Sequence, residues 1–234
     1  MKNIKLVSFS ALILMTMLAC SAVSNLMATP TPVPTNTPLP SPTPMPSPTP
    51  VSSVLFEDGE FTTSCNDDDT ADVERFVEGG QFHMRVITSN YVAWSECTKV
   101  EYEDFVIEVD ASEVSGPDNN TYGVIFRYGL EASEFYTFVI SGDGYYALAI
   151  DGPERTEPEM IVPWTESAAI KQGVQTNQIK VVAIGTNIKF YVNGEMLGEV
   201  ENSSLSKGTV GFFAGALDEG NVQVSFDNLV ISEP

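Results

Sequence analysis

The chain has 234 residues, with 32 acidic side chains against 11 basic ones and a formal net charge of −21 at neutral pH. A surface this acidic repels nucleic acid and anionic lipid head groups, so neither is expected as a partner. The acid content is explained by solubility alone, with attraction of divalent cations or of a basic partner as the alternative. We expect most of these carboxylates to be solvated.

The N-terminus has the pattern of an export signal. Lys2 and Lys5 precede an apolar run from Leu6 to Ala19. That run is too short to cross a bilayer, because a spanning helix needs roughly 20 residues. We therefore predict a cleavable signal peptide over residues 1–19.

Residues Met17-Leu18-Ala19-Cys20 resemble the lipobox of bacterial lipoproteins, although Met17 and Leu18 depart from its usual residues. The resemblance implies that Cys20 is lipidated and holds the protein outside the cytoplasmic membrane, at the surface of a bacterial cell. The membrane is then contacted through this lipid anchor only. The alternative is an ordinary signal peptide that contains a cysteine.

A proline-rich segment follows the cysteine. From Thr29 to Pro50, Thr or Ser alternates with Pro, and this segment holds 10 of the 15 prolines and no charge. It cannot bury apolar surface, so we predict a disordered, extended spacer of roughly 70 Å within a stalk of residues 20–50. Residues 51–234 are expected to form one domain, because no second proline-rich break and no internal repeat follows.

Two cysteines, Cys65 and Cys97, remain beyond Cys20. An even pair in an extracytoplasmic compartment predicts a disulfide. The alternatives, a metal site or a catalytic thiol, lack partners, because His83 is the only histidine of the chain. His83 lies in an alternating segment, Gln81–Val86, and we expect it to be an exposed strand residue.

The sequence of residues 51–234 predicts an all-β domain. Short runs of β-branched and aromatic residues are separated by turn signals, and no stretch has sustained helical periodicity. The turns Gly142-Asp143-Gly144, Gly185-Thr186-Asn187 and Asn193-Gly194 supply residues that tolerate positive φ in hairpins. The predicted strands are Phe105–Ala111, Tyr122–Tyr128, Phe135–Ser141, Tyr145–Ile150, Ile179–Ile184, Ile188–Asn193, Thr209–Ala214 and Val222–Ile231.

Six motifs follow one another through this domain. They are Tyr122-Gly123-Val124-Ile125-Phe126-Arg127, Phe135-Tyr136-Thr137-Phe138, Asp143-Gly144-Tyr145-Tyr146, Tyr191-Val192-Asn193-Gly194, Gly208-Thr209-Val210-Gly211 and Phe226-Asp227-Asn228-Leu229-Val230. Together they resemble concanavalin A-like lectin/glucanase domains, and within that superfamily the laminin G-like and 3-keto-disaccharide hydrolase-like jelly rolls. The resemblance implies a jelly-roll sandwich of two antiparallel sheets, with ligands on the concave sheet or at its rim.

Sugar recognition needs flat apolar surface for the ring faces and planar polar groups for the hydroxyls. The candidate ligand-binding residues are Arg127, Tyr136, Tyr145 and Trp164, with packing or a structural ion pair as the alternative for each. The leading function is a surface-tethered, non-catalytic carbohydrate-binding module whose partner is a polysaccharide or glycan. The alternative is a laminin G-like adhesion domain that binds a cell-surface protein, and the third is a glycoside or 3-keto-disaccharide hydrolase.

The spacing Glu-x-Asp-x-x-Glu of Glu108, Asp110 and Glu113 resembles the catalytic strand of laminarinase-type glucanases. That resemblance implies a nucleophile and an acid/base on one strand face. Alternation places Glu108 and Asp110 together, whereas Glu113 would need a bulge and is expected in a loop. With only Trp94 and Trp164 in the chain, we expect a domain without catalytic residues.

Acidic residues at two positions in the sequence are candidate ligands for a structural calcium ion. One is the Asp67-Asp68-Asp69 run, for which we favour a solvated turn because the glycine and glutamate of an EF-hand loop are absent. The other is Asp227, which resembles a calcium ligand of some superfamily members and is expected to act by hydrogen bonding instead. No cofactor is predicted.

Overall fold

The computed structural model describes residues 53–61, 65, 69–129 and 133–234. The predicted signal peptide, Cys20 and the stalk lie outside these residues. The described part of the chain is all β, with fourteen strands and no helix. Accordingly, we find there no helix with the length and apolar character of a membrane span.

The strands are numbered in chain order. They are β1 (Val54–Asp58), β2 (Val73–Glu78), β3 (Gln81–Val86), β4 (Tyr91–Glu96), β5 (Phe105–Ser115), β6 (Thr121–Tyr128), β7 (Phe135–Ser141), β8 (Tyr145–Asp151), β9 (Glu159–Glu166), β10 (Asn177–Ile184), β11 (Asn187–Val192), β12 (Glu195–Glu201), β13 (Thr209–Ala216) and β14 (Val222–Ser232).

These strands form two antiparallel sheets. The eight-stranded sheet has the order β12-β11-β10-β5-β14-β3-β2, and β1 pairs with β14 beside this path. The six-stranded sheet has the order β4-β13-β6-β7-β8-β9. Strands distant in sequence are neighbours in both sheets, for example β5 with β14 and β6 with β13.

The core lies between the two sheets, where aromatic side chains from both meet. Phe212 of β13 stacks on Phe226 of β14 at 4.1 Å between ring centroids, and Phe138 of β7 contacts Phe190 of β11 at 5.1 Å. Strand β5 shows the expected alternation, with every second side chain buried in this layer. The predicted all-β sandwich of two antiparallel sheets is therefore confirmed.

All eight predicted strands are present, as is β3 at the alternating segment Gln81–Val86, and the three predicted turns lie between consecutive strands. At the turn between β11 and β12, Asn193 and Gly194 both have positive φ, 52° and 82°, as a two-residue hairpin of the Asn-Gly type requires. The prediction misses strands β1, β2, β4, β9 and β12. Four of these are the outermost strands of the two sheets, and β1 lies beside the main path of its sheet.

Candidate functional site

The six-stranded sheet has a second apolar face, which we call the outer face because it is turned away from the eight-stranded sheet. Its central strands β6, β7 and β13 are buried almost throughout, so both of their faces are covered. Ile125, Phe135, Val139, Ala147 and Phe213 form an apolar cluster there, separate from the main core. Inner and outer side chains of this sheet are therefore both apolar.

The outer face forms a groove of about 640 Å³, a volume common for small-ligand sites. Its two tryptophans lie on the two outermost strands of the sheet, Trp94 on β4 and Trp164 on β9. The Trp94 ring packs against Phe135 at 5.2 Å, whereas the side chain of Trp164 is 46% exposed. The Trp94 wall of the groove is thus packed against the sheet, whereas the Trp164 wall presents an exposed aromatic ring to solvent.

Exposed apolar side chains gather around this groove. Five large hydrophobic residues are solvent-exposed and line it: Tyr91, Val92, Met160, Trp164 and Leu217. Exposed hydrophobic residues scattered singly need no explanation, but a contiguous group of them marks a ligand or interaction site. This concentration identifies the groove as the candidate site.

The floor of the groove consists of small side chains. Ala147 and Ala149 of β8 lie beside Thr137 and Val139 of β7. Nearby, Gly215 of β13 pairs with Val92 and Thr121, and a Cβ at Gly215 would lie 2.5 Å from the Thr121 hydroxyl oxygen. Small residues therefore give the groove its depth, and a larger residue at Gly215 would crowd its neighbours.

Polar groups are few and lie at particular points. The hydroxyl oxygen of Thr137 is buried in the floor without a hydrogen-bond partner. At one end, Asp151 accepts a hydrogen bond from the Gly152 amide at 2.8 Å, and Asn90 lines the groove beside Tyr91. An apolar groove with a few polar groups is the usual composition of a ligand site.

Arg155, in the turn after β8, also lines the groove. Its Nε and Nη2 atoms contact Glu134 Oε1 at 2.9 and 2.8 Å, and its Nη1 atom donates to Glu159 Oε2 at 3.2 Å. All three guanidinium nitrogens are therefore engaged by two carboxylates.

The structure brings two of the predicted ligand-binding residues together. Tyr145 and Trp164 line a smaller cavity of about 210 Å³, together with Asp143. Trp164, Thr121 and Leu217 line both this cavity and the main groove, so the two are adjoining. Tyr145 and Trp164 are both exposed, as contact with a ligand requires.

The other two predicted residues lie in the interior. Arg127 donates from Nη1 to the Leu205 carbonyl at 3.1 Å and from Nη2 to the Glu103 carbonyl at 2.8 Å. Tyr136 donates to Asn202 Oδ1 at 2.6 Å and accepts from the Leu205 amide at 3.1 Å. Both side chains are fully buried, and they hold the segment around Leu205 instead of lining the groove.

The three carboxylates of the glucanase-like spacing do not share a face. Glu108 pairs with Lys180 at 2.7 Å and Asp110 accepts from Asn228 at 3.0 Å, both on the outside of the eight-stranded sheet. Glu113 lies on the inward face of the same strand, β5, and is 3% exposed. The expectation that Glu113 is a loop residue is wrong, because β5 continues to Ser115.

Glu113 occupies an unusual environment. Both of its carboxylate oxygens are buried without a regular hydrogen bond. Burial raises its pKa to about 7, and the negative charges of Asp118 and Asp143 act in the same direction, against an opposing effect of the Asn120 side chain. The carboxyl group therefore favours its neutral form more than an exposed glutamate does.

The predicted disulfide between Cys65 and Cys97 is present. His83, in contrast, is not exposed as expected: it is buried, its ring stacks on Phe76 at 4.9 Å, and Nδ1 lies 3.2 Å from Nε2 of the Gln223 side chain. Burial lowers the pKa of His83. The alternating pattern located the strand but not which of its faces is covered.

The predicted calcium places show no assembled site in the described residues. Asp227 accepts hydrogen bonds from Gln81 Nε2 at 3.1 Å and from the Asn228 amide at 2.8 Å. Asp69 accepts from the Arg75 amide at 2.7 Å, while Asp67 and Asp68 lie outside the described residues. Within the described ranges, no three His, Cys, Asp or Glu side chains are grouped as metal ligands would be.

The two-sheet fold has counterparts among solved structures. The carbohydrate-binding module CBM66 from Bacillus subtilis is similar to it with a TM-score of 0.56 and 17% identity, over 73% of this chain and 94% of that one. A protein of unknown function with a galectin-like fold, also from Bacillus subtilis, has a TM-score of 0.57 and 10% identity, over 77% and 96%. The domain therefore has a jelly-roll-like fold of two antiparallel sheets.

The jelly roll also resembles an enzyme. The catalytic domain of an endo-1,3-β-glucanase (laminarinase) from Thermotoga petrophila has a TM-score of 0.52 and 11% identity, over 78% of this chain and 98% of that one. Identities this low show the fold alone. No protein-family model and no curated protein matches the sequence.

Proposed function

We propose that this jelly-roll domain binds a glycan in the groove of its six-stranded sheet, without catalysis, while a lipid on Cys20 holds the protein at the cell surface. One observation carries the proposal: the exposed apolar side chains that surround the groove, Trp164 above all. A jelly roll by itself would support many functions, so the argument depends on the groove.

The chemistry of the groove suits a sugar. The C–H faces of a pyranose ring stack on flat aromatic surface, and its hydroxyls need a small number of polar partners. Trp164 and Tyr145 offer exposed rings on adjoining strands β9 and β8, and Asn90, Thr121 and Asp151 offer polar groups nearby. The carbohydrate-binding module from Bacillus subtilis adds support, since it has the same fold.

The absence of catalysis is part of the proposal and is supported by the position of the carboxylates. Glu108 and Asp110 belong to the sheet opposite the groove, and Glu113 points into the sandwich. Retaining hydrolysis needs two carboxyl groups on either side of one glycosidic bond, roughly 5 to 5.5 Å apart. The one sequence pattern that resembles a glucanase therefore does not supply such a pair in the groove.

The tether is proposed from sequence alone. The lipobox-like residues before Cys20 and the proline-rich stalk up to Pro50 would place the groove away from the membrane, where polysaccharide is accessible. Metabolic labelling with a fatty acid, compared between the native chain and Cys20→Ser, tests this part separately. Label that persists in Cys20→Ser would contradict it.

The binding test is a glycan-array screen of the purified full chain in mild detergent, run with calcium and again with a chelator. We expect selective glycan binding that Trp164→Ala reduces by about fivefold or more, since a stacked aromatic ring contributes about 1 kcal/mol beyond its buried area. Met196→Ala is the control, because Met196 is 53% exposed but lies on β12 of the other sheet.

Two outcomes would contradict the proposal. A blank array under both conditions would favour a protein partner for the groove. Binding that Trp164→Ala and Met196→Ala leave equally unchanged would move the glycan site to another surface of the domain.

A further inference from the structure

The electrostatics of the groove restrict which glycans it accepts. Among the described residues that line the groove, Arg155 is the one with a positive charge, whereas Asp151 and Glu157 are acidic. Two cavities adjoin the groove: one adds Asp143, and the other adds Glu96 together with Arg75, whose Nη2 donates to the Trp94 carbonyl at 3.0 Å. A ligand in the groove therefore faces more negative than positive charge.

The charge of Arg155, the cation that lines the groove itself, is balanced by two carboxylates. Arg155 lies between Glu134 and Glu159, and each of Nε, Nη1 and Nη2 contacts one of the two carboxylates at 2.8 to 3.2 Å. Its side chain is 26% exposed, so part of the guanidinium is held away from solvent by this arrangement. We call Glu134, Arg155 and Glu159 the arginine clamp.

An anionic sugar would find no free counter-charge here. A sulfate or uronate group that displaced one carboxylate from Arg155 would leave that carboxylate unpaired beside a new negative charge, which is unfavourable in a partly buried site. Like-charge contacts of this kind are a common way in which binding sites reject wrong partners.

We propose that the groove selects uncharged glycans and rejects anionic ones, and that the arginine clamp determines this selectivity. The inference rests on the proposed function, because it concerns the same groove. It assigns to Glu134 and Glu159 the role of specificity-determining residues. They need not contact the ligand, because they act by balancing the positive charge of Arg155 through their ion pairs with it.

The experiment compares neutral oligosaccharides with the same oligosaccharides carrying sulfate or uronate groups, on one array and then by titration in solution. For the native full chain we expect the neutral form of any bound glycan to bind about tenfold more tightly than its anionic form, or more. The preference should weaken at high salt, because mobile ions screen the repulsion.

The decisive variant is Glu134→Gln combined with Glu159→Gln, which removes both negative charges from around Arg155 and keeps the shape of both side chains. We expect it to bind the anionic forms about tenfold more tightly than the native chain does, with affinity for the neutral forms little changed. The matched control is Glu74→Gln with Glu199→Gln. It removes two ion-paired carboxylates from the eight-stranded sheet and alters the net charge equally.

Arg155→Gln covers the case in which the double variant does not fold. Removal of the cation leaves Glu134 and Glu159 unpaired beside the groove, so the preference for neutral over anionic forms should be at least as large as in the native chain. A native chain that binds anionic and neutral forms equally, or an equal gain in the control double variant, would overturn the role of the clamp while leaving glycan binding intact. Absence of binding to every glycan would overturn the proposed function itself.

Discussion

Glu113 gives the sharpest test of the structure, through the variant Glu113→Gln. Its carboxyl group is 3% exposed, and burial raises its pKa from the ordinary 4.5 to about 7. Each pKa unit corresponds to about 1.4 kcal/mol, so ionisation of Glu113 in the folded state costs about 3 kcal/mol relative to ionisation in the unfolded chain.

The direction of the pH effect follows from which state holds the proton. Below about pH 4.5 both the folded and the unfolded chain carry a neutral Glu113, and the residue has no pH-dependent effect on stability. Between 4.5 and 7 the unfolded chain loses the proton first, so this residue makes the folded state less stable as the pH rises. Above about pH 7 the full cost of about 3 kcal/mol is present.

Glu113→Gln removes this ionisation and retains the size of the side chain. We compare the free energy of unfolding of the variant with that of the native chain at each pH. This difference should be about 3 kcal/mol more in favour of the variant near pH 8 than near pH 4. Urea unfolding followed by tryptophan fluorescence measures this difference at each pH. Glu195→Gln, an exposed change on β12, is the control and should show no such trend.

A stability difference between Glu113→Gln and the native chain that stays constant from acid to neutral pH would refute the reasoning. It would mean that Glu113 is hydrated in solution, or that a cation neutralises it. A repeat of the measurement with calcium and with a chelator separates these two explanations.

Two further predictions concern stability. Loss of the disulfide in Cys65→Ser with Cys97→Ser should reduce the free energy of unfolding by about 3 to 4 kcal/mol, because the bond closes a loop with a sequence separation of 32 residues; an unfolding midpoint equal to that of the native chain would contradict this. Phe212→Ala should cost about 3 to 5 kcal/mol, since Phe212 stacks on Phe226 across the two sheets. A loss below about 1 kcal/mol in a urea titration would show that this contact is not central to the core.

The sequence predicts the interior of this fold better than its borders. Central strands such as β7 and β13 are rich in β-branched and aromatic residues and are bounded by glycine turns, so their positions can be read directly. The outermost strands β2, β4, β9 and β12 are partly exposed, and their composition is mixed because one edge and one face meet solvent. Four of the five missed strands are of this kind.

The difficulty of predicting edge strands and buried faces also limits the prediction of the site residues. Trp164 is among the predicted candidates although its strand β9 is not predicted, whereas Trp94, on the missed strand β4, is not among them. Arg127 and Tyr136 lie on strands that are almost wholly buried. On such strands an alternation of residues does not reveal which face meets a ligand, since both faces are apolar.

Strand β9, which carries Trp164, is also one of the two edge strands of the six-stranded sheet. Pro163, directly before Trp164, has no amide hydrogen to offer an added strand, and its carbonyl accepts a hydrogen bond from the Thr165 hydroxyl at 2.8 Å. Glu159 and Glu166 place a charge at each end of the strand. Proline and charge are the features that keep an open edge from extending into another chain's sheet. An extended peptide is therefore disfavoured as an additional strand here, and any partner that reaches this wall has to be recognised through side chains.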